Sequence, residues 1–203
     1  MSTRHILSTV SRLAAAAVVA VSSASCGSDL LRTGRSPVYL TIDSIDITNG
    51  ASDESAGNLQ SDVQTIVDDV PTVFSDVASV SISAVAKNPT AAVTDINAVT
   101  INRYRIVFTR ADGRNTPGVD VPFGWDGATS VTIPAGGSGE VVFDIVRHSS
   151  KLEPPLRQLI GSGGQFFIYT IAEITFFGRD QNGNELTVTG TADVAFSDFG
   201  DPQ

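Results

Sequence analysis

From residue 38 to residue 197, apolar residues recur mainly at every second position, in short runs separated by turns of glycine, asparagine, aspartate and proline. Period-two alternation is the mark of strands buried on one face. In VYLTIDSIDIT, Val38, Leu40 and Ile42 share one face while Ile45 and Ile47 take the opposite parity, which predicts a bulge near Asp43-Ser44. Asn49 to Asp62 is acidic and glycine-bearing with almost no apolar residue, and reads as a loop. VQTIV and PTVF predict an edge strand or a half-turn. Val80, Ile82, Ala84 and Ala86 then alternate inward until Pro89 breaks the pattern. A strand resumes at Val99 with Tyr104, Ile106 and Phe108 on one face, ending in a turn at Asp112-Gly113. SVTIPAGGSGEVVFDIV predicts two strands around a glycine-rich turn, Ala135 to Gly139.

Helical spacing appears once, at Leu156, Leu159 and Ile160 within Lys151 to Ile160, where Pro155 suits a first turn. QFFIYTIAEITFF, Gln165 to Phe177, is apolar on both parities and predicts a central strand covered on both faces. LTVTGTADVAF follows after GRDQNGNE, which predicts a C-terminal hairpin with Asn182-Gly183 in its turn. Turn signals every eight to fifteen residues without βα alternation predict an all-β, antiparallel immunoglobulin- or fibronectin-like sandwich of about seven strands with one short helix. No Cys-Trp-Cys core of the antibody type is present. The order AVAKNP, VTINRYRIVFTRADG, SVTIPAGGSGEVVFDI, over Ala84 to Ile145, resembles the LEA type 2 sandwich domain, a resemblance that implies the same fold class.

The first residues follow a different pattern. Arg4, His5 and Arg12 precede an uninterrupted apolar run, Leu13 to Val21, and the small residues Ser22 to Ser25 lead to Cys26. The run is too short for the roughly 18–20 residues that span a bilayer and fits the h-region of an export signal. Ser23-Ala24-Ser25-Cys26 resembles the bacterial lipobox, which implies a cysteine acylated as the first residue of the mature chain. Ser23 and Ser25 also satisfy ordinary secretory cleavage, so a plain secreted protein is the alternative. A lone cysteine makes no intramolecular disulfide, and a free thiol is a liability in an oxidising compartment. Acylation removes that liability and anchors the chain, since two acyl chains hold stably where one does not. Residues 1–25 read as signal peptide, 26–36 as a polar tether, and 37–203 as the domain.

Removing residues 1–25 takes away Arg4 and Arg12 and no acid, which moves the net charge from −9 to −11. That argues against nucleic acid as a partner. The expected partners are the membrane, through lipid on Cys26, and other envelope proteins. Gly27 lacks the aspartate that retains lipoproteins at the inner membrane, so the resemblance implies the outer membrane.

Little in the chain points to catalysis, and no cofactor is expected. His148 is the single histidine after cleavage, lies beside Arg147 and Ser149, and has no G-x-S-x-G elbow with it. One histidine without a free thiol cannot assemble a zinc site of the usual kind. Asp180, Asn182, Asn184 and Glu185 alternate oxygen ligands, but Asn-Gly explains them as a turn. The aromatic pair in PFGWDGATS is the candidate ligand surface: Phe123, Trp125 and Asp126, in a glycine-bearing loop, suit a glycan or peptide. The competing reading has Trp125 plugging the open end of the sandwich. The sequence reading is therefore an envelope lipoprotein with a non-catalytic structural or interaction domain, a glycan- or peptide-binding lipoprotein being the alternative.

Overall fold

A computed structural model describes residues 34–52, 55, 56, 58–90 and 92–200. Residues 1–25, Cys26 and the tether up to residue 33 lie outside the described residues. The chain folds as an all-β sandwich of two facing sheets. One sheet has the order β2-β1-β6-β9, from β1 (Val38–Thr48), β2 (Ser55–Ala56), β6 (Asp76–Ala86) and β9 (Ser138–Val146). The other has the order β3-β11-β10-β7-β8, from β3 (Asn58–Asp62), β7 (Val99–Thr109), β8 (Trp125–Ile133), β10 (Ile168–Asp180) and β11 (Glu185–Ser197). β4 (Thr65–Val67) and β5 (Val70–Thr72) form a small separate hairpin. Its two-residue turn, Asp68-Asp69, has positive φ at both positions.

The alternating residues meet between the sheets. Val38, Leu40, Ile47, Val80, Ile82 and Ala84 from one sheet bury against Tyr104, Ile106, Phe108, Ile174, Phe176, Val194 and Phe196 from the other. Phe143 and Phe176 pack edge to face at 5.6 Å, and Phe108 does the same with Phe196 at 5.7 Å. The parity change in β1 is a bulge: its pairing with β6 shifts between Ile42 and Ser44, which lets Ile45 and Ile47 turn back to the core. β10 and β11 form the expected hairpin in continuous register from Ile168–Phe196 to Arg179–Glu185.

Three expectations need correction. The segment read as a loop, Asn49 to Asp62, holds β2 and β3, and β3 runs parallel to β11 in an otherwise antiparallel sheet. Leu59 alone supplies its apolar anchor, and Ser61 and Asp62 are buried through hydrogen bonds. Second, the helix starts earlier and is split, as α1 (His148–Lys151) and a 3-10 turn at Leu156–Leu159. Pro154 and Pro155 between them cannot donate to a continuous helix. Third, β10 is central but covered on one face: Ala172, Ile174 and Phe176 are buried, whereas Tyr169 and Ile171 are exposed. The two strands expected around the glycine-rich turn are β8 and β9, and that turn is a corner that passes the chain from one sheet to the other. Gly136 N–H donates to Ala84 O and Ala84 N–H donates to Gly137 O, so the corner is stitched to β6.

The two ends of the sandwich differ. The chain enters beside Ser36 and Val38, at the end that carries the corner Pro134–Gly137 and the β10–β11 turn. The opposite end carries the start of β10, the end of β11, α1 and the loop from Arg110 to Gly124.

Gly127 marks a point of close packing against Tyr104. A Cβ there would lie 2.2 Å from Tyr104 Cζ and 2.4 Å from its hydroxyl oxygen. Gly127→Ala is therefore expected to cost about 1–3 kcal/mol through overpacking. The urea midpoint is the measurement, and an unchanged midpoint would mean that the Tyr104 ring moves aside freely.

Candidate functional site

Phe123, Trp125 and Asp126 lie at the end opposite the one where the chain enters, but they do not form one surface. Phe123 is exposed in the loop before β8. Trp125 begins β8 and turns inward, half-buried, its ring 5.2 Å from that of Tyr104 in an edge-on contact. The Arg147 guanidinium covers the indole at 4.2 Å from the ring centre. Asp126 has the opposite parity and faces out, where Arg103 donates to it at 2.9 Å and Arg105 at 3.1 Å. Arg105, then Arg103, hold its carboxyl below the usual carboxylate range. A ligand would have to displace Arg147 to reach Trp125, and both arginines to reach Asp126.

The other candidates are used locally. The Asp180 carboxylate accepts the backbone N–H groups of Asn182 and Asn184 and the side-chain amide of Asn184, so it serves its own hairpin turn. His148 is exposed and opens α1, its N–H donating to Ser75 Oγ at 3.1 Å. Among the described residues no three His, Cys, Asp or Glu side chains group as metal ligands.

A bare apolar surface lies on the outer face of β10 and just before it. Phe166 and Tyr169 are 65% and 66% exposed, and Phe167 and Ile171 are also open. Phe167 and Tyr169 stack at 5.7 Å with only 16° between their planes. Phe199, from the chain's end, meets Phe167 edge-on at 5.8 Å. Beside them a groove of about 450 Å³ crosses the sheet, floored by Tyr169, Ile171 and Ala195 and bordered by Asn58, Gln60 and Asp193. Ala111 overhangs it from a loop clasped by Asp112, which accepts from both Arg110 and Arg114. Those arginines, Arg110 first, keep the Asp112 carboxyl well below the usual range.

Beneath this surface lies a buried polar cluster. Lys151 and Asp76 form an ion pair with both side chains at 0% exposure. Ser61 Oγ donates to Asp76 Oδ2 at 2.6 Å, and Gly50 N–H donates to Oδ1 at 3.1 Å. Next to it, Asp62 accepts from Thr65 Oγ1 at 2.7 Å and from Phe199 N–H at 3.1 Å, which fixes the backbone that carries one of the aromatic rings. Burial is the main influence on all three: it pushes the Asp76 and Asp62 carboxyls up and the Lys151 ammonium down. The sequence offered no periodic signal for any of these residues.

No family model matches the chain, and no curated protein sequence does. Two solved structures share part of its outline. The structural-genomics target SoR45 is 10% identical with a TM-score of 0.36, over 78% of this chain and 86% of that one. A Bordetella pertussis protein provisionally named ApaA is 16% identical with a TM-score of 0.39, over 79% of this chain and 94% of that one. Neither likeness bears on what this chain does.

Tyr104, between Trp125 and Phe143, supplies a pH test of the packing at this end. Burial pushes its phenol up to about 12, with Asp144 adding to the rise and Arg147 opposing it. The folded chain thus keeps a proton that the unfolded chain releases above about pH 10. Stability from this group is complete below pH 10 and falls as the pH climbs toward 12. Tyr104→Phe is expected to flatten that decline in denaturant midpoints, and an equally steep decline in the variant would assign it to other groups.

Proposed function

We propose that the chain is an exported envelope lipoprotein, acylated at Cys26, whose sandwich domain is a non-catalytic interaction module. The observation that carries this reading is the pair of stacked rings Phe167 and Tyr169, left bare with neighbouring Phe166 at the end of the sandwich away from where the chain enters. β10 runs 13 residues between the two ends, about 40 Å at roughly 3.3 Å per residue. A tether joined at Ser36 would therefore hold the opposite end away from the anchoring bilayer. Large contiguous apolar patches on monomeric domains mark partner surfaces. Rigid stacked aromatics suit that role, because few rotamers are lost on docking. The partner class is an envelope protein presenting apolar side chains, and Gly27 favours the outer membrane as the location.

A second reading, a glycan- or peptide-binding lipoprotein, is supported by the groove next to the cluster. Tyr169 offers a flat ring there, with the amides of Asn58 and Gln60 and the carboxylate of Asp193 within the same 450 Å³. This reading puts the ligand on β10 and β11 in preference to Phe123, Trp125 and Asp126, because Arg147 covers the indole ring and two arginines hold the Asp126 carboxylate.

Three measurements test these readings. Wild type is expected in the membrane pellet and Cys26→Ser in the soluble fraction; a soluble wild type overturns the anchor. A photocrosslinking residue in place of Phe166 should trap an envelope protein in cells, while one in place of Val142, exposed on the other sheet, should not. Equal labelling from both positions, or labelling from neither, overturns the interaction reading. The groove reading instead predicts saturable binding of a soluble glycan or peptide that Tyr169→Ala weakens at least tenfold.

A further inference from the structure

Lys151 and Asp76 stand 75 residues apart in the chain and meet where no solvent reaches either side chain. Lys151 Nζ lies 3.0 Å from Asp76 Oδ1 and 2.9 Å from Oδ2, so the amine straddles the carboxyl group and faces the carbon between its oxygens. Two other donors hold that carboxyl still: Ser61 Oγ on Oδ2 and Gly50 N–H on Oδ1. Gly50 is required for this approach, since a Cβ there would sit 2.0 Å from Ser75 O. An ion pair so placed loses hydration at both charges, which its attraction need not repay.

We propose that Lys151 and Asp76 condense into an intramolecular amide, a covalent staple between α1 and the first residue of β6. The reaction needs no oxidant, reductant or activating group. A proton first passes from the ammonium to the carboxylate, leaving a neutral amine against a neutral acid. Burial favours that exchange, because it pushes Asp76 up and Lys151 down. The Nζ lone pair then attacks Asp76 Cγ, and the C–O π pair moves onto Oδ1, where Gly50 N–H receives the developing charge. Nζ gives up one proton and Oδ2 gains one, with the Ser61 hydroxyl able to accept and donate in turn. The Cγ–Oδ2 bond breaks and the hydroxyl departs as water. In sum, one ammonium and one carboxylate become one amide and one water.

The surroundings favour the forward direction. Groups held in contact react at effective concentrations of about 10⁵–10⁸ M, far above those of free amines and acids. Exclusion of solvent withholds the water that would reverse the step. A cleft of about 300 Å³ lies next to the cluster, lined by Asn49 and Asp62, the chain neighbours of Gly50 and Ser61. The bond would close a loop over β6, β7, β8 and β9. It thereby restrains the unfolded chain as a disulfide does, in a protein whose single cysteine cannot form one within the chain.

The test is the mass of the folded full-length chain carrying Cys26→Ser, measured under denaturing conditions, with peptide mapping after digestion. The expected result is a chain lighter than its sequence by one water, with a branched peptide joining Lys151 to Asp76. Lys151→Arg and Asp76→Ala should each lose the branch and show no missing water. Asp76→Asn should expel ammonia instead, giving a branched product identical in mass to that of the parent. A folded parent chain at its full sequence mass, with Lys151 and Asp76 in separate linear peptides, overturns the proposal and leaves an ion pair.

Discussion

The contact between Lys151 and Asp76 is the constraint on which one end of this sandwich depends. Asp76 begins β6, Ser61 belongs to β3, Gly50 follows β1, and Lys151 ends α1, so a single carboxyl group holds four elements of different sequence origin. None of the four has enough apolar surface at that point to be held by packing alone. Removing one member leaves an uncompensated buried charge, a change that typically costs about 3–5 kcal/mol. The neighbouring Asp62 repeats the device on a smaller scale, tying the β3–β4 turn to Phe199. The far end is thus closed by polar groups, whereas the middle is closed by Ile, Val and Phe.

This division explains why the aromatic cluster can stay exposed without being loose. Phe199 is fixed through Asp62, and Phe167 and Tyr169 flank Ile168, which pairs with Phe196 of β11. The rings therefore project from backbone that is already immobilised by internal hydrogen bonds. A partner docking there would meet a preformed surface and lose little entropy in ordering it.

Period-two patterning made most of the central strands legible, including the β1 bulge and the β10–β11 hairpin, because their burial is apolar and one-sided. The same rule misread two kinds of segment for opposite reasons. β3 was invisible because Ser61 and Asp62 are buried by hydrogen bonds, and an apolar pattern cannot register that. β10 was read as covered on both faces because its outer residues are apolar, and a sequence does not say whether a partner layer exists. Trp125 was legible as a notable aromatic in its loop, but not its shielding by Arg147, which arrives from the end of β9. Asp126 likewise gave no sign of the two arginines that engage it across the strand pair.

The edges of the sheets narrow what kind of contact the exposed face can make. β9 lies at one edge and carries the exposed charges Glu140 and Asp144; β8 lies at another and carries Asp126. Charged edge strands resist pairing with a further strand. β3, the edge nearest the cluster, is five residues long, and the carbonyl of Gln60 already accepts from the Asn49 side chain. Tyr169 and Ile171 of the aromatic face sit on β10, which pairs with β11 from Ile168 onward and with β7 from Ile171 onward. The rings offer side-chain contacts above that backbone, which suits an occupant that brings its own folded or rigid apolar surface.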